Sequence, residues 1–557
     1  MGTPKPSSPR PSTLRSAGVV GVMTLLSRLT GVIQTRLVCR FLGAGMAADA
    51  FNVAYRIPNL LRRFTAEGTM TSAFLPTVSQ VEKEQGAAAA QEMVAKFLGT
   101  LGLLLTLLCA LAIPAMGLFT GLQMLGRLAP HSSWHHQLGV LAAIALGRAE
   151  APLQVRLTTT LARIMFPYLA LVSLTAGLSA VLNLRGRFAL PASASTFYNL
   201  AFVGFGYGCM LLGPARWRVP ERAAVLLAMA TLIGGLVQLF LLWPAFRREK
   251  FHFRFGIYLR HPGVRTALKR MAPGLLGAGI HPINVFVSAI LASQLAEGAQ
   301  TVLFNSNMMG EMILGIFAAS VATVSLPAMS RLVEDGDFQG LRTSLAGALR
   351  GTAVLAIPGA VGMAVLAGPI VALLFRTGRY DAAAVEWTAH TLMYQAVGIL
   401  FIATGRITAQ CLYALKEYKW PAYAALLGMA GNIALSLVLM QFLGTGGIAL
   451  ANGLSSLITL TVLILRLRRK MADLPFREVL GGWLSMGLAA GLMAALAMLG
   501  ATLLHLDRFH GMVGTSLRLF PLIAVCALAY GALLLLFKVP EAAVLTALIR
   551  RKFTRLT

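Results

Sequence analysis

The segment RIPNLLRRFTAEG, residues 56–68, sets Arg56, Arg62, Arg63 and Glu67 in an otherwise apolar stretch, with AADAFNVAY before it and TMTSAFLPTV after it. An arginine at the centre of a membrane helix costs about 2.5–3.5 kcal/mol even on the gentlest insertion scales, so each guanidinium needs a partner or a water-filled cavity. Adjacent residues on a helix point about 100° apart, so Arg62 and Arg63 cannot share one partner. Glu67 follows Arg63 by four residues and offers one helical ion pair. Net positive charge remains. A guanidinium fork suits phosphate or carboxylate, to which it donates two parallel hydrogen bonds. These residues therefore predict an anion-binding cavity in the N-terminal part of the chain, for an anion carried on something amphipathic. Arg40, close to the end of an apolar segment, is read as snorkelling to the interface. Arg36 reads equally well as snorkelling or as facing a cavity.

The elements that must hold these charges are membrane helices. Of 557 residues, 57% are hydrophobic and 12% charged, and the mean hydropathy is +0.73. Soluble domains carry roughly 25% charged residues, so the fold class is an all-α polytopic membrane protein. Fourteen candidate spans lie near residues 17–42, 51–78, 97–125, 161–183, 191–213, 223–245, 271–295, 303–330, 351–375, 388–414, 421–443, 446–465, 481–504 and 519–537. The net charge of +28 is a loop property. With both termini placed in the cytoplasm, thirty of the 48 lysines and arginines fall in inside segments and eleven in outside ones. That asymmetry is the positive-inside pattern for an even number of spans. The other seven (Arg28, Arg36, Arg40, Arg56, Arg62, Arg63 and Arg406) lie in or against apolar segments. No basic patch alternates with exposed aromatics, so nucleic acid is not expected as a partner.

An internal repeat organises the spans. VLNLRGRFALP (181–191) and CLYALKEYKWP (411–421) each end a span, hold two central basic residues and close on a proline, and the prolines lie 230 residues apart. Asn199 and Asn432 follow inside the next span of each copy. A parallel duplication of six-span lobes gives this offset and puts substrate between the lobes near the midplane. The expected organisation is a disordered cytoplasmic tail (1–16), an N-terminal lobe (17–248), a basic cytoplasmic linker (249–270), a C-terminal lobe (271–470) and two further spans with a cytoplasmic tail (471–557).

The segments SRLTGVIQTRLVCRFLGAGMAADAFNVAYRIPNLLRRFTAEG (27–68), FPYLALVSLTAGLSAVLNLRGRFALPA (166–192) and LFRTGRYDAAAVEWTA (374–389) resemble the MurJ/MviN family, and the likeness spans essentially the whole chain. The resemblance implies a lipid II flippase of the MOP exporter superfamily. Such a protein moves undecaprenyl-diphosphate-linked peptidoglycan precursor outward across the cell inner membrane by alternating access. Its expected partners are that lipid, the surrounding membrane lipids and cell-wall synthesis proteins. It also implies site residues: Ser27 and Arg28 on the first span, Asp49 before the second, Arg62 and Arg63 on it, then Glu67, with Glu311 on the eighth span. The chain departs from the family at two cavity arginines, where Gln34 and Met308 stand. Arg406 on the tenth span is the candidate compensating charge, with a structural pairing to Glu417 or a carbonyl as its alternative. These departures keep two other readings open: an exporter of another polyprenyl-diphosphate glycan, or a non-transporting membrane paralogue.

Other marks carry less. His131 and His135 have helical spacing that suits zinc, but no acid or cysteine accompanies them, and no metal or other cofactor is expected. The five cysteines sit in apolar segments without CxxC spacing and read as packing residues. His281-Pro282 predicts a break in the seventh span, and Gly444, Gly446 and Gly447 predict a tight turn. There is no GxxxxGK[ST] loop and no supported Ser/His/Asp set, so an enzyme is not expected.

Overall fold

The computed structural model describes residues 11–65, 74–278, 280–471, 474, 476–506 and 511–541, with the side chains of 11–17, 63–65, 271–282, 316–324 and 476 outside the description. All regular structure among them is helical, as a chain with no internal water to satisfy its backbone requires. The helices are α1 (Pro11–Leu42), α2 (Met46–Thr65), α3 (Leu75–Gln123), α4 (Leu125–Leu128), α5 (Trp134–Ala145), α6 (Leu153–Met165), α7 (Tyr168–Leu184), α8 (Ala189–Leu212), α9 (Pro220–Arg248), α10 (Pro262–Ala278), α11 (Ile280–Ser293), α12 (Ala299–Glu334), α13 (Phe338–Val365), α14 (Ala367–Phe375), α15 (Ala382–Ala396), α16 (Ile399–Ala414), α17 (Lys419–Leu443), α18 (Thr445–Lys470), α19 (Phe476–Leu503) and α20 (Met512–Leu536). Thirteen of the fourteen expected spans fall on one of these helices or on a consecutive pair, and the other, 51–78, runs through residues 66–73, outside the description. Among the described residues nine helical segments are long and apolar enough to cross a membrane alone, and α15 with α16, bent by 41°, makes a tenth. α2 is not among them, because its twenty residues carry Asp49, Arg56, Arg62 and Arg63.

The chain divides into two compact units, residues 1–283 with 377–379, and residues 284–376 with 380–557. In the first, α2 packs on α6, α7 and α9, and α1 lies on α8 and α9. Phe97, Leu98, Met165, Phe202 and Phe246 fill the interior. In the second, α12, α13, α15, α16 and α18 pack together, with α17 against α18. α19 packs along α13, and both α19 and α20 join its apolar cluster through Met486, Met493, Leu522 and Tyr530. Close packing, not water exclusion, holds helices together in lipid, so small residues sit where backbones meet. At Gly398 an added Cβ would stand 2.5 Å from the Cα of Gly453, which lets α16 and α18 touch backbone to backbone. Gly444 adopts φ +55° at the α17–α18 turn, the left-handed geometry that a glycine reaches without a Cβ penalty.

The basic segment after α9 is laid across α3. The Arg254 amide donates to the Ala95 carbonyl at 3.3 Å, the Tyr258 amide to Thr100 Oγ1 at 3.0 Å, and Thr100 Oγ1 to the Gly256 carbonyl at 3.2 Å. Gly99 makes this possible: a Cβ there would stand 1.7 Å from the Arg254 carbonyl oxygen. Phe246 and Phe253 pack against Phe251 and Trp243 at the root of the segment. Ion pairs gather at the same end, Arg185 with Glu82 at 2.8 Å, Arg254 with Glu92 at 3.3 Å, and Arg187 with Glu249. Three charged segments, the first half of α3, the α7–α8 connection and the segment after α9, are thus neighbours in space.

Candidate functional site

The charged residues of the first unit are presented by α1 and α2. α1 is helical without interruption through Gly31, and Asn199 on α8 holds it. The Asn199 amide donates to the Ser27 carbonyl at 3.0 Å and to Thr30 Oγ1 at 3.0 Å. The turn carrying Ser27 and Arg28 is therefore tied to α8, with both side chains half-buried. This link was half legible in the sequence: the repeat singled out Asn199, but nothing in its spacing pointed to α1. Arg36 is half-buried. Arg40 is exposed, and its guanidinium lies 5.9 Å from the ring centroids of both Phe41 and Tyr207. The residue expected to snorkel thus lies over two aromatic rings.

α2 carries its charges on a strongly amphipathic helix, polar on one side and packed on α6, α7 and α9. Asp49 is 0% and Arg56 only 6% exposed, and the two attract each other electrostatically across seven residues, two helical turns. Arg56 Nε and Nη1 are buried and have no hydrogen-bond acceptor among the described residues. Sequence reasoning counted Arg56 among the bilayer charges but did not nominate it, and the spacing to Asp49 was the signal available. Arg62 is half-buried, within electrostatic reach of Tyr168, whose ring lies 5.3 Å from that of Tyr198. Tyr55 acts on both tyrosines. Arg28, Asp49, Arg56 and Arg62 thus belong to one unit, on two helices that touch each other. The side chain of Arg63 and the whole of Glu67 lie outside the described residues.

The two candidates of the second unit stand on separate helices. Glu311 is exposed on α12, one turn from the half-buried Met308. Arg406 is exposed on α16 between the buried Gly405 and Ile407. The alternative pairing of Arg406 with Glu417 is not formed: the Glu417 carboxylate takes Arg466 at 2.8 Å and Lys470 at 2.9 Å. These two cations hold the Glu417 carboxyl below its usual range. The zinc geometry also fails. His131 has φ +60° and precedes Ser133, the N-cap of α5, so it is not on the helix that carries His135. Among the described residues no three His, Cys, Asp or Glu side chains gather as a metal site.

Among the described residues, helices long and apolar enough to span a membrane, with a charged pair of helices at the start of the first unit, make the architecture of a polytopic membrane protein. The structure of "Lipid II flippase MurJ, inward closed conformation" superposes with a TM-score of 0.69 at 20% identity, covering 93% of this chain and 98% of that one. An inward-facing multidrug resistance MATE family transporter of the MOP superfamily superposes at 0.63 with 14% identity, covering 81% and 95%. The fold is that of the MOP superfamily. The profile of the family described as "Lipid II flippase MurJ" matches residues 38–522, and the chain belongs to that family. The "Probable lipid II flippase MurJ" of Vibrio cholerae is 30% identical over 537 residues, 94% of this chain and 96% of that one. The "Lipid II flippase MurJ" of Burkholderia cenocepacia is 29% identical over 527 residues, 93% and 95%.

Proposed function

We propose that this chain moves lipid II, the undecaprenyl-diphosphate-linked peptidoglycan precursor, from the inner to the outer leaflet of the cytoplasmic membrane by alternating access between two six-helix lobes. The observation that carries the reading is the cationic group on α1 and α2 of a family member: Arg28, Arg56 and Arg62 against the single buried carboxylate of Asp49. Two adjacent helices with this excess of positive charge suit a diphosphate, and a drug cation would want the opposite sign. Arg28 and Arg62 take the diphosphate oxygens; Arg63 and Glu67 remain candidates on the family resemblance alone. Ser27, held by Asn199, sets the register of α1. Glu311 and Arg406 are the candidate substrate contacts of the second unit. α19 and α20, apolar and packed along α13 and α14, suit the lipid tail.

Charge-assisted hydrogen bonds contribute about 1.5–3 kcal/mol, so removing one arginine from the headgroup lowers affinity roughly 10- to 150-fold. The test is complementation in a bacterium whose own lipid II flippase is switched off, with the parent, Arg28→Ala and Arg62→Ala at matched membrane levels. Growth with the parent and lysis with both variants is the expected result. Gln34 and Met308, standing where the family has arginines, favour a second reading, an exporter of another polyprenyl-diphosphate glycan. Lysis despite a well-inserted parent would exclude lipid II and leave that exporter or a non-transporting paralogue.

A further inference from the structure

Between α3 and α6 the chain makes a detour that no span requires. α4 and α5 leave the far end of α3 from Glu82 and Glu92, and α5 lies against α3 and α4. The sequence of α5, WHHQLGVLAAIA, is capped by Ser133, whose side chain accepts from the His136 amide. One edge of the helix is packed: Leu141 fits into the space left by Gly121 on α3, and the Gln137 amide donates to the Ala129 and Ser132 carbonyls. At 100° per residue, Trp134, Leu138, Ala142 and Ala145 share an adjoining arc, and Leu146 continues it. That arc is apolar and uncovered, with Trp134 41%, Leu138 46% and Leu146 66% exposed. In water such a stripe would be costly, and a helix of this kind is stable where one side meets apolar matter and the other meets water.

We infer that α5 is an interfacial helix, seated at the boundary between headgroups and acyl chains of the leaflet at that end of the protein, the outer one in the expected topology. Two features select a lipid surface as the occupant. First, the helices that flank α5 expose large apolar side chains next to it in the chain, Leu118 and Phe119 near the end of α3 and Leu153 at the start of α6, as lipid-facing segments do. Second, the flanking charge is mostly positive. Arg148 and Arg156 are exposed, against the one exposed carboxylate of Glu150. Guanidinium groups beside an apolar stripe meet the phosphates of a bilayer, and a tryptophan at its edge settles at the headgroup level.

The inference needs the chain to span a membrane and is independent of what it transports. The test compares the full-length parent with Trp134→Phe in vesicles of phosphatidylethanolamine and phosphatidylglycerol. Trp134 is exposed, so phenylalanine there disturbs no packing, and the difference in emission isolates its signal from the other five tryptophans. Lipids brominated near the glycerol end of their chains should remove the larger part of that difference emission, while aqueous iodide should leave it intact. In a second variant, Leu138→Glu, the Trp134 signal should pass from lipid quenching to iodide quenching. Iodide quenching in the parent overturns the inference, because the stripe then faces water. Protection from both quenchers overturns it as well, because a protein surface, a second copy included, then covers α5. An unchanged Trp134 signal in Leu138→Glu does the same.

Discussion

At the residue scale, two buried polar groups carry the sharpest consequences. Asp49 and Arg56 attract each other inside the first unit. Removing the Asp49 carboxylate withdraws the attraction that offsets part of the cost of burying the Arg56 guanidinium. Asp49→Ala should therefore lower the thermal unfolding midpoint strongly, and adding Arg56→Met should recover most of the loss; equal midpoints for single and double variants would show that the two do not interact. Asn199 and Asn432 give a second comparison. Asn199 makes two hydrogen bonds to α1, whereas the amide of Asn432 is buried with neither atom paired among the described residues. A buried polar group without a partner costs about 1–3 kcal/mol. Asn199→Leu should thus destabilise the protein and impair complementation, and Asn432→Leu should leave the midpoint unchanged or raise it. The sequence marked both asparagines by their place in the repeat. It could not separate them, because what distinguishes them is the helix each one faces.

At the element scale, apolar length along the chain placed the helices, and nine described segments, or ten with the bent α15–α16 pair, are long and apolar enough to cross a membrane. What neighbours decide was not legible. The break between α6 and α7 at Phe166-Pro167, the added helix α5 and the course of the basic segment over α3 all depend on contacts distant in sequence. The last of these yields a prediction. Gly99→Val would drive a side chain into the Arg254 carbonyl, and overpacking of this kind costs about 1–3 kcal/mol. Trypsin should then cut at Arg254 and Arg260 faster than in the parent, with the spans intact; equal cutting rates would mean that the segment is held by other contacts. The α16–α17 connection gives a pH dependence. Lys470 and Arg466 hold the Glu417 carboxyl below 4.5, so the cluster is fully formed above that pH and is lost as pH falls through the lower, folded value. Arg466 also lies over the Trp420 ring at 4.7 Å. The emission removed by Trp420→Phe should be constant from neutral pH to about 4.5 and change only below it.

At the scale of the whole molecule, charge sets orientation. Thirty basic residues in one set of segments against eleven in the other predict both termini in the cytoplasm. A fluorescent protein fused to the C-terminus should glow, and alkaline phosphatase fused there should be inactive; the reverse pattern would invert every assignment of side made above. Membership of the family was legible in residues 27–68 because that stretch combines fixed charge with the helix ends that position it. The candidates of the second unit were less so. Glu311 and Arg406 are single charges on separate helices, and a lone charge has no spacing to read.

The segment laid over Gly99 also bears on how the protein is made. Its hydrogen bonds join residues 156 and 158 positions apart, so α3 leaves the ribosome long before the chain that covers it. At roughly 5–20 residues per second, the surface around Gly99 waits about 8–30 seconds while α4 to α9 are synthesised and inserted. Closure of that strap is then a late step in the birth of the first unit, and a nascent chain arrested before residue 250 should display the bare surface to whatever chaperone or membrane protein stands nearby.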